Sequence, residues 1–358
     1  MTAQSKTSDT IPAFPPPRSA VCPFAPSPEL QALADHGPVT RVRSWGGSTP
    51  WAVTGHAEQK KLLTDPRLSV NFGAPNFPSP IDPQHSHGGA TDLSFVGMDD
   101  PEHLRLRRMI SGTFTIKRVE AMRPAVQRIA DDFIDRMLAG PNPTDLVQSL
   151  ALPLPSLVIS EMLGVPYEDH EFFQTNSKVL VSATATGEER GAAHTALADY
   201  LNDLISQKIA EPGDDLISKL GAQVQSGQLT AREAATMGVL LLLGGHETTA
   251  NMISLGTLTL LQHPEQLEMI RDAEDPQVVV NAVEELLRYL SIVHLGRRRT
   301  ALEDIEIAGH TIPAGDGVIL LGELANRDPE VFADRLRRTP RSRAPAGSSA
   351  TAARAGRR

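Results

Sequence analysis

Apolar residues recur at helical spacing through most of the middle of the chain, and the longest such stretch has sharply marked ends. Met237 to Leu243 is an unbroken apolar run, and Met252, Ile253, Leu255, Leu258, Leu260 and Leu261 resume it after a polar interruption. Thr230-Ala231-Arg232-Glu233 has the form of a capping box, with threonine at the N-cap and glutamate three residues on. His263-Pro264 closes the stretch, because the residue before proline disfavours helix. The pattern predicts one helix from Thr230 to His263, about 45 Å long at the usual helical rise. A helix apolar on nearly all sides is expected to be buried. It is not expected to span a membrane, since its uninterrupted apolar run falls far short of the roughly twenty residues required.

The same reading predicts helices over Ile116–Ala139, Leu150–Leu163, Asp169–Val181, Gly187–Ala210 and Asp214–Gln225, with a short one from His56 to Leu63. Asp100-Pro101 and Asp275-Pro276 open two more, with acid at the cap and proline in the first turn; the second runs to Leu290. Strand signals are few. Arg41 to Trp45, Gly46-Gly47 and Trp51 to Thr54 read as a hairpin, as do Ile305 to Ile307 and His310 to Ile312 about Ala308-Gly309. A further strand is expected over Val318–Leu321. Residues 71–97 are rich in Pro, Gly, Ser and His and read as a long loop, a length that is usually functional or mobile. No internal repeat is present. The expected fold class is mainly α with small β-sheets, in one large domain over residues 1–334.

Charge changes this picture at one place. The 358 residues carry a net −9, yet from Arg335 onward there are eight arginines and no acid. Residues 1–334 therefore hold 26 basic against 43 acidic side chains, a balance of −17. Such a body is poorly suited to nucleic acid. Residues 335–358 are Arg, Ala, Pro, Ser, Thr and Gly with one leucine, and are expected to be a disordered basic tail; the abrupt change after Asp334 is expected to reflect a shifted reading frame in GC-rich DNA. Met1 to Pro17 is polar and proline-rich and lacks the apolar core of a signal peptide, so the expected location is cytoplasmic. The single cysteine, Cys22, excludes an internal disulfide and any multi-cysteine metal cluster.

Candidate chemistry sits in the interruption of the long helix, Gly244-Gly245-His246-Glu247-Thr248-Thr249. Paired glycines cost a helix about 1 kcal/mol each relative to alanine. In return they let something flat approach the backbone, and both are expected to face a large apolar cavity. Glu247 and Thr248 place an ionisable group and a hydroxyl beside that opening, a combination suited to proton delivery. The plainer reading has Thr248 bonding back to the Gly244 carbonyl and bending the helix; the whole hexapeptide favours the functional one. A zinc-protease reading fails, because the second histidine would fall at Ala250. On the earlier helix, His103 and Arg107 are spaced i, i+4 and share a face with no acid at helical spacing between them, either as a solvated basic face or as a pair awaiting an anion. Glu285 and Arg288 form an i, i+3 pair with Val283, Leu286, Leu287 and Leu290 around them.

In combination these segments resemble bacterial cytochrome P-450 monooxygenases of the actinomycete type, from about Cys22-Pro23-Phe24 to Asp334. The resemblance rests on Gly244 to Thr249, Glu285-Leu-Leu-Arg288, Ala325-Asn326-Arg327-Asp328-Pro329, Gln262 to Gln266, and Asp99 to Arg108, which is similar to the family's haem-flanking helix. It implies a haem cofactor with Gly244 beside it, His103, Arg107 and Arg299 converging on its propionates, and Glu247 with Thr248 as the acid–alcohol pair of oxygen activation. It further implies that Glu285 and Arg288 are a structural ion pair, and that Gly245, Val293 and His294 lie toward substrate. A small apolar substrate, a ferredoxin and a ferredoxin reductase are the implied partners of a monomeric protein that uses neither nucleic acid nor a membrane.

One departure stands against the resemblance. The family holds its haem iron through a cysteine thiolate on a glycine-rich loop after the Asn-Arg-Asp-Pro segment, and the thiolate's electron push favours O–O cleavage. No cysteine follows Asp334, and no protein metal ligand is assigned. Cys22 reads as an ordinary surface thiol, and the spacing of His246, His294 and His310 favours none of them as a nitrogen ligand. The chain as written is therefore expected to be an inactive, truncated member. The alternative is a non-enzymatic helper of a partner such as a glycosyltransferase.

Overall fold

The structure, a computed structural model, describes residues 11–17, 22, 24–79, 94–182, 184–294 and 296–332. The predicted tail at 335–358 and most of the 71–97 loop lie outside the described residues. The chain divides into two compact units, residues 84–264 forming one and the segments on either side of them the other.

The discontinuous unit begins with helix α1 (Pro28–Ala32), strands β1 (Val39–Arg41) and β2 (Trp51–Val53), helix α2 (His56–Leu62) and strand β3 (Leu68–Ser69). In the central unit come helices α3 (Glu102–Ser111), α4 (Ile116–Ala139), α5 (Pro153–Leu163), α6 (His170–Val181), α7 (Gly187–Ala210), α8 (Leu216–Gln225) and α9 (Ala231–Leu261). There follow α10 (Pro264–Arg271), α11 (Pro276–Leu290), strands β4 (Arg297–Ala301), β5 (Ile305–Ile307), β6 (His310–Ile312) and β7 (Gly317–Leu320), and α12 (Gly322–Ala325).

Local chemistry sets most helix ends. Thr230 and Thr186 each accept the backbone N–H of the glutamate three residues on, and each glutamate reaches back to the cap, completing capping boxes on α9 and α7. Asp275 and Asp215 cap α11 and α8 with their carboxylates. Asp100 does not cap α3; the N-cap is Pro101, with no side-chain bond. The helix predicted from Leu150 is instead a π-helical turn, Val147–Ala151, leading into α5 at Pro153. Its wide spacing appears as the Leu152 N–H donating to the Val147 carbonyl five residues back, at 3.0 Å.

Within the central unit, α9 packs its first half into the core through Ala234, Ala235, Met237, Val239 and Leu242, against Leu197, Leu201 and Ile205 of α7 and Ile217 of α8. Gly238 allows the close approach: a β-carbon there would fall 2.9 Å from Leu201 Cδ1. The second half of α9 is less covered than its apolar pattern implied, with Leu258 and Leu261 exposed.

In the other unit, five strands form a sheet in the order β1-β2-β7-β4-β3. β1 pairs with β2 in a hairpin whose first strand is Val39–Arg41 rather than the predicted Arg41–Trp45, Trp45–Gly47 forming a 3-10 turn, and β5–β6 forms a separate two-stranded hairpin. β2 pairs parallel with β7, Trp51 opposite Val318. Val39, Trp51, Val53, Leu68, Val318 and Leu320 belong to one apolar cluster, and Ala52, Ile319, Val42, Phe14 and Leu30 to another. β4, with the sequence Arg-Arg-Arg-Thr-Ala, carries no strand signal; antiparallel pairing to β7 on one side and β3 on the other makes it one.

Candidate functional site

α9 runs unbroken through Gly244 and Gly245, but the two glycines meet different surroundings. A β-carbon at Gly245 would lie 2.9 Å from Ile159 Cδ1, so this glycine is where α5 closes on α9. At Gly244 a β-carbon would meet nothing within 4 Å, and the residue is exposed. The expectation that both face a cavity is corrected accordingly: successive helical residues point about 100° apart, so only Gly244 presents bare backbone outward. Gly245, expected toward substrate, presents its β-carbon side to α5. These placements predict opposite responses. Gly244→Ala should stabilise the protein by about 0.5–1 kcal/mol through helix propensity. Gly245→Ala should lose that gain, or more, because Ile159 must shift. Thermal melts of the two variants check the contrast, and equal shifts would contradict it.

Thr248 Oγ1 donates to the Gly244 carbonyl at 2.7 Å. That is the back-bond of the plainer reading, and it spends the hydroxyl's only proton while leaving its oxygen lone pairs to accept. Glu247 is part-buried, its backbone carbonyl accepting from Asn251 Nδ2 at 2.8 Å. Its carboxylate turns toward the preceding residue, Oε1 lying 3.6 Å from His246 Nδ1. The His246 side chain is only 4% exposed. Burial holds its imidazole pKa below the ordinary 6.5, against the opposing pull of the Glu247 charge and the Leu152 carbonyl.

His103 and Arg107 share a face of α3, but His103 is not without an acid. Asp100 Oδ1 lies 3.0 Å from its Nδ1, three residues back and outside the His103–Arg107 interval. Arg107 is half-buried, and among the described residues no acid pairs with it. Arg105 is tied down: Nε donates to Glu102 at 2.8 Å, one Nη to Glu233 of the α9 capping box, and the other to the Gln228 carbonyl at 3.2 Å. The bonds to Glu102 and Glu233 raise its pKa further above the usual arginine value.

Arg299 lies in β4 of the other unit, its Nη1 donating to the Arg298 carbonyl at 2.7 Å. Its neighbours Arg297 and Arg298 are held down by desolvation, Arg298 to about 10. Val293 is 71% exposed, and His294 Nδ1 lies 3.3 Å from the Ile292 carbonyl. His294 lines a cavity of about 40 Å³ with Cys22, Phe14, Phe24 and Leu290. His310 is exposed on β6, 5.6 Å from the Trp51 ring.

The Glu285–Arg288 pair is bidentate, Arg288 Nε and Nη2 donating to the two carboxylate oxygens at 2.8 and 2.5 Å, and both side chains are buried. Val283 and Leu287 do not cover it, for both are exposed. The cover comes from the Phe332 ring, 4.7 Å from the Arg288 guanidinium carbon, and from the Asn326 carbonyl that accepts from Nη1. Arg327 of the same Asn-Arg-Asp-Pro turn is also buried, donating to the carbonyls of Phe24 and Tyr289 and lying 4.4 Å over the Tyr289 ring. The motif was visible in the sequence; the long-range backbone partners that make it structural were not.

A mainly helical body with a small mixed sheet, a glycine-opened helix carrying an acid beside an alcohol, and a buried Glu-x-x-Arg pair bound to an Asn-Arg-Asp-Pro turn together define one class. The chain belongs to the cytochrome P-450 family, whose model matches residues 75–335. It is 50% identical over 341 residues to cytochrome P-450 CYP105Q4 of Mycobacterium marinum, covering 92% of this chain and 80% of that one. To cytochrome P-450 GfsF of Streptomyces halstedii it is 50% identical over 326 residues, 91% of this chain and 78% of the other. The GfsF crystal structure superposes with a TM-score of 0.84 over 95% of this chain and 84% of its own. The vitamin D3 dihydroxylase of Streptomyces griseolus is 45% identical over 93% of this chain and 81% of its own. No helix among the described residues is long and apolar enough to cross a membrane.

Proposed function

We propose that this chain carries the oxygen-side machinery of a haem monooxygenase that hydroxylates or epoxidises a small apolar molecule, with electrons supplied by a ferredoxin and its reductase. The observation that carries the reading is the opening at Gly244, flanked one turn on by Thr248 and Glu247. The residues present fit one side of a haem. Bare backbone at Gly244 accepts a flat macrocycle, and Arg107, with no acid paired to it among the described residues, suits a propionate. His103 and Arg299 are the other residues assigned to the propionates. Bound through a cysteine thiolate, haem supplies dioxygen activation. Thr248 then offers acceptor lone pairs just beyond the Gly244 carbonyl, and Glu247 supplies the carboxyl group of the pair. Val293 and His294 are assigned toward substrate, and the Glu285–Arg288 pair a structural role. The setting is a monomer in the cytoplasm.

The residues present do not fit the thiolate side of the group. Cys22 is the only cysteine of the 358 residues, and it sits in the proline-rich N-terminal stretch beside Phe24 and His294. These 358 residues are therefore inferred not to supply, by themselves, the thiolate that an active haem needs. The test is the carbon monoxide difference spectrum of the reduced, haem-supplemented chain. The expected result is no thiolate-type Soret band. A stable thiolate band that is lost in Cys22→Ser would overturn the assignment and make Cys22 the ligand.

A further inference from the structure

His246 is absorbed by none of the roles above, yet it is the most deeply buried ionisable side chain of the hexapeptide. Its Nδ1 faces Glu247 Oε1 at 3.6 Å, and its Nε2 is buried with no hydrogen-bond partner. Adjacent helical residues do not normally face each other, so this contact requires the Glu247 side chain to fold back over its own helix. The Leu152 carbonyl also approaches the imidazole. Leu152 caps α5, whose first residue is Pro153, and its carbonyl receives only a stretched bond from the Ser156 N–H at 3.4 Å. That weak bond leaves the Leu152 oxygen able to interact with the His246 ring. The preceding π-helical turn, ending at the fully buried Ala151, leads the chain to that point.

We propose that His246 is a positioning residue for Glu247, its neutral Nδ1–H imidazole holding the carboxylate folded back beside His246. The proposal rests on the reading of Glu247 and Thr248 as the proton-delivery pair. Two roles were open to the ring, relay or holder, and burial decides between them. A relay would take up a proton at Nε2 as it gave one from Nδ1, but Nε2 has no contact with solvent or with any donor among the described residues. A holder needs only Nδ1. The separation of 3.6 Å is longer than a hydrogen bond, so the carboxylate is attracted without being locked and can leave without breaking a short contact.

The contact can be measured with no haem reaction, so its failure is distinct from failure of the functional reading. The chain is labelled with ¹⁵N-histidine, and the ring of His246 is observed by long-range proton–nitrogen correlation, assigned by its loss in His246→Phe. The expected signal is a single neutral Nδ1–H tautomer at pH 7. Glu247→Gln should shift its Nδ1 resonance and lower the Nδ1–H share of the tautomer mixture at least twofold. Should His246→Phe not fold, His246→Asn provides the assignment. Glu247 is part-exposed, so Glu247→Gln leaves the core intact. An Nε2–H tautomer in the parent chain, or a spectrum unmoved by Glu247→Gln, would overturn the proposal.

Discussion

Arg288→Ala should destabilise the protein by about 3–5 kcal/mol, the usual consequence of removing one partner of a buried ion pair. Truncation takes the bidentate guanidinium away from the Glu285 carboxylate in a site where the pair's side chains are 6% and 3% exposed. It also removes the Arg288 donor from the Asn326 carbonyl and leaves a void under Phe332. The loss is one of an uncompensated charge more than of attraction, so a second substitution should recover part of it. Glu285→Leu combined with Arg288→Met exchanges the pair for apolar groups of similar volume and is expected to cost less than Arg288→Ala alone. Urea unfolding followed by circular dichroism measures all three proteins. A single-variant loss below about 1 kcal/mol would show that the pair is solvated.

On the proposed function, the second large effect belongs to Thr248. In a chimera joining residues 1–332 to the remaining C-terminal part of the Streptomyces halstedii relative, Thr248→Ala should lower product formed per dioxygen consumed. The decrease should be on the order of 10² or more, the scale of positioned proton transfer. Oxygen consumption should continue, with hydrogen peroxide as the outlet. The structural reason is specific to the back-bond. With its proton committed to Gly244, the hydroxyl contributes acceptor lone pairs at one fixed point, and alanine removes that acceptor without opening the helix. Thr248→Ser keeps the acceptor and should retain most of the coupling. If alanine and threonine couple oxygen to product equally, Thr248 has no part in proton delivery.

Much of the fold was legible because its signals are local. The capping box at Thr230, the Asp275 cap and the full extents of α4 and α7 follow from residues within a few positions of one another. β4 was not legible, since three consecutive arginines become a strand only through neighbours on both sides. The π-helical turn before α5 was read as ordinary helix because its apolar spacing differs from a helix by a single residue. In the site, residue types were readable and directions were not. Nothing local says that Gly245 meets Ile159 while Gly244 is open, or that Glu247 turns back to His246. Asp100 beside His103 was readable in principle, as an acid three residues before a histidine at a helix start.

The parallel pairing of β2 with β7 has a consequence for synthesis. Trp51 must find Val318 after all the intervening chain has emerged from the ribosome. For that interval β2 offers an unpaired sheet edge, with Val39 and Val53 of the first hairpin lacking the partners Val318 and Leu320 that complete their cluster. The central helices have no such wait, because their contacts close within residues 84–264. Translation therefore delivers a foldable helical body first and leaves the early strands exposed until late, a window in which chaperone binding or misassociation competes with native closure.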